Sequence, residues 1–258
     1  MGLPESIRSA AHNHCDQIIL PRVAAWETTT EYPLRAVSKA AADGLLGLYC
    51  PTDLGGQGLT FAEAISVFEE FGRGSGLYAF SLSMRNIVAY AIAKFGQDAF
   101  RDEWMLRLTS GEALGGFVLT EPQSGSDAAG VRTRASINSD GSYTINGCKS
   151  WVSLARIADI YLVVVKTKEE PGHKDIAMVA VPKTTPGLHF GEPYEKLVSP
   201  FLPIADMFLE NVTVPADHVI LPPGQGLSGS LTAIDIARTS IAAGCCGLMS
   251  AALDTTLS

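Results

Sequence analysis

Apolar residues in this 258-residue chain recur at two different spacings, and the points where the spacing changes divide the chain in three. Up to about residue 110 the spacing is helical, as in Phe61, Ala62, Ile65, Val67 and Phe68, and again in Ile87, Val88, Tyr90, Ile92, Ala93 and Phe95. From Leu114 to about Leu221 the period is two: Tyr161 to Val165, Ile176 to Val181 and Met207 to Val214 read as strands, with Pro186-Gly187 as a turn. After Gly224-Gln225-Gly226 the helical spacing returns and runs from about Ser228 to the end. One element cannot serve both periods, so the pattern implies an α+β chain of several parts. The divisions are a helical domain over 1–112, a β domain over 113–226 and a further helical segment over 227–258.

The entry to the β region is the densest in information. Leu114 to Leu119 reads as an apolar strand that ends at Thr120-Glu121-Pro122, because proline removes a backbone donor and pushes Glu121 toward extended geometry. Ser124-Gly125-Ser126-Asp127 follows, with a glycine able to take positive φ and short side chains that let backbone N–H groups converge on an anion such as a pyrophosphate. Val131 to Ile137 then alternates, Asp140-Gly141 makes a tight turn, and Tyr143 to Ile145 returns before Asn146-Gly147. The result is a hairpin that delivers Trp151.

Composition narrows the function. A formal charge of -8 and the lack of a Lys/Arg cluster along any predicted face exclude a phosphate-backbone footprint, so nucleic acid is not expected as a partner. Five cysteines without CxxC spacing read as free thiols in a reducing compartment. No apolar run reaches membrane-spanning length, and the first twenty residues carry charges and two histidines, so neither a membrane span nor a targeting segment is expected. His12-x-His14 points its rings to different helix faces, and His173, His189 and His218 lie at loops or strand edges with no nucleophile context, so no metal site is expected. Gly72-Arg-Gly-Ser-Gly76 has the glycines of a dinucleotide loop but no preceding strand, and reads as a turn between helices. Lys168 to Lys174 reads as a solvated loop.

The run Thr120-Glu121-Pro122-Gln123-Ser124-Gly125-Ser126-Asp127, followed by Lys149-Ser150-Trp151-Val152-Ser153, resembles the paired TEP-x-x-GSD and K-x-W-[IV]-[TS] segments of the acyl-CoA dehydrogenase family. Pro51 to Gly58 resembles that family's P-x-x-x-GG-x-G turn, Asn211 to Pro215 its VxVP strand, and Asp235-x-x-Arg238 the opening of its C-terminal helical domain. The resemblance implies that the β domain is antiparallel and barrel-like and that residues 227–258 are the first helix of a C-terminal four-helix bundle. It implies FAD as cofactor and α,β-dehydrogenation of an acyl thioester, with a glutamate taking the α-proton and hydride passing to flavin N5. It implies that Phe117, Leu119, Thr120, Gly125, Ser126, Trp151, Val152 and Ser153 contact the flavin, Trp151 covering one ring face and Ser153 bonding near N5 or O4. Leu154 stands where the family more often has asparagine.

For the substrate, carried by coenzyme A or an acyl carrier protein, the resemblance implies Ser126, Asp235 and Arg238; the other reading of the last two is a helix cap and a surface ion pair. Arg85 lies in the stretch Tyr78 to Phe95, where family helices line the acyl pocket, and a cation there suits a carboxylate-bearing or polar acyl tail. Its alternative partners are solvent or an internal acid such as Glu69. In a minority of members the catalytic glutamate immediately precedes the arginine of the last helix, and here that position is Ala237. The base is therefore expected beyond Ser258 or in a partner subunit. That last helix, roughly 45 Å long at about 1.5 Å per residue, carries Ile234, Ile236, Ile241, Cys245, Leu248, Met249 and Leu253 around its circumference, so it is expected to need partner helices from outside this chain. An electron-transferring flavoprotein or another acceptor, a homo-oligomeric state or completing partner chain, and a cytoplasmic or mitochondrial-matrix location complete these expectations. The alternatives are a flavin monooxygenase of the same fold and a non-catalytic subunit of a two-chain dehydrogenase.

Overall fold

The computed structural model describes residues 4–168 and 174–258; His173 and the middle of the Lys168 to Lys174 loop lie outside the described residues. Helices come first: α1 (Glu5–His14), one π-helical turn (Cys15–Ile19), α2 (Val23–Trp26), α3 (Leu34–Ala42), α4 (Phe61–Gly74), α5 (Gly76–Phe95) and α6 (Asp98–Thr109). Helix α4 starts on a capping box. The Glu63 amide donates to Thr60 Oγ1 at 3.3 Å, and the Thr60 amide donates to Glu63 Oε2 at 2.8 Å. Ser75, extended at φ -163°, breaks α4 from α5 and caps the latter by accepting from the Tyr78 amide at 3.3 Å. Gly72 and Gly74 belong to α4 itself, so the glycine cluster closes one helix and opens the next with Ser75 as the single joint.

Eight strands follow: β1 (Gly115–Val118), β2 (Arg134–Ile137), β3 (Tyr143–Ser153), β4 (Ile160–Lys166), β5 (Ile176–Pro182), β6 (Leu188–Phe190), β7 (Ile204–Val214) and β8 (Val219–Leu221). They form one sheet in the order β6-β7-β3-β2-β4-β5-β8, with β1 also on β4. The expected strand domain is present and mostly antiparallel, with two departures from the barrel-like form: β1 pairs with β4 in parallel, as does β2 through Arg134 and Lys166, and the path is open from β6 to β8. The departure begins with β1, which is followed by a long loop instead of a hairpin and so meets a strand 45 residues on, Gly115 facing Ile160. Nor does β3 stop at Asn146-Gly147. It runs eleven residues, with Asn146 opposite Arg134, and Gly147 gives Thr133 the room that a Cβ 2.6 Å from Thr133 Oγ1 would take.

Helix α7 (Gly226–Leu257) lies across α4 and α5, so one face of it is covered within this chain. Ala233, Ile236, Ala237, Ser240, Ala243, Gly244 and Gly247 form its buried face. The approach is close enough for backbones to touch, since a Cβ on Gly247 would sit 1.9 Å from the Glu69 carbonyl oxygen. Tyr49, in the loop after α3, reaches Ser240 with its hydroxyl 2.6 Å from Ser240 Oγ. The far end of α7 does leave apolar surface exposed at Leu248, Met249, Leu253 and Leu257. By length and composition α7 is also apolar enough to cross a membrane, which the sequence reading missed because Gly, Ser and Thr interrupt its apolar positions; its buried face nevertheless packs on other helices.

Candidate functional site

Strand β1 delivers its C-terminal end to the surface because its first two residues have no side chains to obstruct it. A Cβ on Gly115 would lie 2.4 Å from Val88 Cγ1 of α5, and one on Gly116 2.7 Å from the Tyr161 ring of β4, so β1 is wedged between helix and sheet. Phe117, Leu119 and Thr120 emerge half-buried. The chain then turns on itself, with Glu121 and Ser124 exchanging backbone hydrogen bonds of 2.9 and 3.0 Å and Ser124 Oγ donating to the Asp127 carbonyl at 2.5 Å. Gly125 and Ser126 form the exposed crest. Gly125 is not among the positive-φ glycines, which corrects its expected role; an added Cβ there meets nothing within 4 Å. The protein itself does not demand glycine at this point, so the free space is available to a ligand.

The second segment arrives on β3. Opposite Asp206 of β7 the strand carries one extra residue, the register slipping between Lys149 and Val152, and at this bulge Trp151 takes φ 59°. Its indole is thereby thrown to the surface, 63% exposed, where Tyr194 leans against it at a ring distance of 4.7 Å. Tyr194 is itself anchored by donating from its hydroxyl to the Asp206 carboxylate. Val152 returns to the core and Ser153 is half-buried, facing Ile204 of β7.

What joins the two segments is a buried ion pair that sequence reasoning overlooked. Lys149, fully enclosed, donates from Nζ to Glu121 Oε1 at 2.7 Å and to the Leu119 carbonyl at 3.1 Å. Glu121, 3% exposed, also accepts from the Arg132 amide at 2.7 Å, the Thr133 amide at 3.0 Å and Gln123 Nε2 at 2.6 Å. Burial alone would raise the Glu121 carboxyl, but Lys149 and these donors hold it below the usual carboxylate range. The Ser150 amide completes the seam on the Thr120 carbonyl at 2.9 Å. A signal existed in the sequence: Lys149 keeps the two-residue phase of Tyr143 and Ile145, whose side chains are buried. A cation on the inward face of a strand needs a buried counter-ion.

The substrate candidates are placed differently. Asp235 and Arg238 form a 3.2 Å ion pair on the outward face of α7, about 70% exposed, and lie within the helix, not at its cap. Ala237, beside them, is buried. Arg85 faces neither solvent nor Glu69, which is exposed. Arg85 is 3% exposed, donating from Nη2 to the Ala113 carbonyl at 3.1 Å, while Nη1 has no hydrogen-bond partner among the described residues. Burial lowers its pKa, opposed by Tyr32, Tyr78 and Asp159. Because Ala113 precedes β1 and Thr120 follows it, Arg85 and the Trp151 surface lie toward opposite ends of that strand. Of the remaining histidines, His12 lies near Asp16 and Glu70, His14 is buried on Tyr78, and His218 packs on Phe100.

Comparison with known proteins bears on the same segments. The N-terminal domain of acyl-CoA dehydrogenases matches residues 4–112, and their middle domain matches residues 116–212. A probable acyl-CoA dehydrogenase of Bacillus subtilis (strain 168) is 35% identical over 256 residues, covering 98% of this chain and 67% of that protein. A glutaryl-coenzyme A dehydrogenase solved with glutaryl-CoA superposes with a TM-score of 0.93 at 30% identity, over 98% of this chain and 65% of that one. A glutaryl-CoA dehydrogenase from Mycobacterium smegmatis solved with FADH2 gives 0.88 at 29%, over 98% and 64%. The chain thus spans about two thirds of the length of these relatives. With both domains matched in order and the Thr120 and Trp151 segments stitched together by Glu121 and Lys149, the chain belongs to the acyl-CoA dehydrogenase family.

Proposed function

We propose that this chain binds FAD on the surface between Thr120, Ser126 and Trp151 and contributes to an acyl-CoA dehydrogenase. The observation that carries this reading is the buried Glu121–Lys149 pair, which brings the two segments together on one face. The residues fit the cofactor. Gly125 leaves open space where a Cβ would intrude on a close ligand, Trp151 offers an exposed aromatic face, and Thr120 and Ser153, half-buried in the same two segments, carry hydroxyls. FAD, when bound, accepts the hydride released from the β-carbon of an acyl thioester. In this reading Leu119, Thr120, Val152 and Ser153 orient the ring through backbone and hydroxyl groups, Phe117 packs beside it, and Gly125 and Ser126 meet its phosphates or the thioester. Trp151 shields one face from water.

The proton acceptor is not assigned to these residues: Glu121 is committed to Lys149, and Ala237 carries no carboxylate. Asp235 and Arg238, exposed on α7, would meet the nucleotide part of a coenzyme A thioester or a carrier protein. An electron-transferring flavoprotein is the proposed electron acceptor, and association between copies or with a partner chain would cover the apolar end of α7. The test is to titrate the purified protein with FAD, follow the visible spectrum, and then add an acyl-CoA anaerobically. Bound flavin that bleaches supports the reading, a protein that fails to take up FAD overturns it, and oxygen consumption during turnover would favour a monooxygenase instead.

One observation refines the substrate. The buried Nη1 of Arg85 lacks a partner, and a carboxylate on the acyl tail would supply one if the acyl pocket extends to it. Affinities for a dicarboxylic and a plain acyl thioester of equal length check this, and equal affinities would remove Arg85 from the substrate site.

A further inference from the structure

The Lys149 ammonium bonds to a backbone carbonyl as well as to a carboxylate, and that carbonyl belongs to the peptide linking Leu119 to Thr120. In a trans peptide the C=O and N–H point in opposite directions. With Lys149 holding the Leu119 oxygen from the core side, the Thr120 N–H faces away from Lys149. The next carbonyl, that of Thr120, is taken by the Ser150 amide at 2.9 Å, so both flanks of Thr120 are fixed by β3. No acceptor for the Thr120 N–H is found among the described residues. A charged donor on a carbonyl oxygen also draws electron density through the peptide and makes its N–H a stronger donor, an effect that grows where water is excluded. Glu121 partly offsets the charge, but three further donors share its carboxylate.

We propose that Lys149 is a positioning residue that aims and strengthens the Thr120 N–H as a hydrogen-bond donor to the flavin ring, and so raises the reduction potential of bound FAD. This rests on the flavin reading above. Its physical basis is that a donor to a ring acceptor favours the more electron-rich reduced flavin over the oxidised form. The inference assigns Lys149 an electronic effect that a merely structural tie between two loops would not have.

The test uses the flavin-loaded protein and the double variant Lys149→Met/Glu121→Gln, which removes both charges together and leaves no orphaned buried carboxylate. FAD affinity, thermal unfolding and the two-electron potential are measured on each. The expected result is that the variant still binds FAD and that its potential falls by about 30 mV, a tenfold loss in the preference for reduced over oxidised flavin. An unchanged potential in a variant that folds and binds FAD overturns the inference and leaves Lys149 a structural tie. Failure of the unsubstituted protein to bind FAD is a separate outcome that overturns the flavin reading itself.

Should the double variant not fold, pH replaces it. Burial pushes Lys149 down to about 8, so raising pH through that value removes the ammonium. The folded pKa lies below the unfolded one, so the unfolded chain holds the extra proton between about pH 8 and 10.5, and this group adds to stability as pH rises there. Because flavin reduction takes up protons, the potential falls with pH in any case; a break in that slope near pH 8, or a change there in the spectrum of the oxidised flavin, in protein that remains folded supports the inference. A constant slope and an unchanged spectrum across pH 7 to 9 sink it.

Discussion

Gly72 of α4 and Gly244 of α7 meet backbone to backbone: a Cβ on Gly72 would lie 1.9 Å from the Gly244 carbonyl oxygen. The relationship is one-sided, because a Cβ on Gly244 would come no nearer than 3.3 Å, to the Ala79 methyl. Gly72→Ala must therefore push two helix backbones apart, at a cost on the order of 3 kcal/mol or more. Gly244→Ala should cost less than about 1 kcal/mol, since helix propensity gained in mid-helix offsets a tight but yielding contact. Denaturant unfolding of both variants checks the asymmetry, and equal losses would mean that the helices are not seated this way.

His14 should make the fold acid-sensitive. Its side chain is fully enclosed, with Nε2 2.9 Å from the Tyr78 hydroxyl and the ring against Phe71, and burial pushes its pKa down to about 4 despite Asp43 nearby. The folded pKa lies below the unfolded value of 6.5, so as pH falls the unfolded chain takes the proton first. The contribution is complete above about pH 6.5 and is lost progressively toward pH 4, amounting to at most about 3 kcal/mol. Unfolding free energies measured across that window should slope, and His14→Leu should flatten the slope; an unaltered slope would assign the acid response elsewhere.

Two glycines a short distance apart on the chain should behave in opposite ways. Gly125→Val places its side chain where nothing lies within 4 Å, so stability should change by less than about 0.5 kcal/mol while FAD affinity falls tenfold or more. Gly115→Ala drives a methyl to 2.4 Å from Val88 Cγ1 and should destabilise the protein whether or not flavin is present. Flavin titration alongside thermal melting separates the two effects.

Trp151→Ala extends the same contrast to an aromatic residue. An indole 63% exposed, on a residue at φ 59°, contributes to the apo fold mainly through Tyr194, so the loss in stability should not exceed about 1 kcal/mol. Flavin binding should weaken far more than stability. A large drop in melting temperature would recast Trp151 as a structural residue.

The sequence made legible those features that repeat over short distances. The change of period at Leu114 marks where helices yield to strands, and the return of helical spacing after Gly226 matches the start of α7. The parallel seating of β1 on β4 was not legible, because strand partners 45 residues apart leave no local trace. The bulge at Trp151 was hidden for a related reason: it exists only relative to β7, whose Asp206 faces two residues of β3. The burial of Lys149 follows from its phase in the strand, which its place in a motif does not express. The cover that α4 gives α7 depended on glycines that had been read as a turn.

The hydrogen bond between Tyr49 and Ser240 joins residues 191 positions apart, which gives the helical region a timing problem during synthesis. At translation speeds of 5 to 20 residues per second, roughly 10 to 40 s separate the appearance of these two residues. Once α5 is complete, and for most of that interval, the surface of α4 and α5 that α7 later covers stays open to other chains. A nascent protein built this way depends on being shielded until α7 arrives.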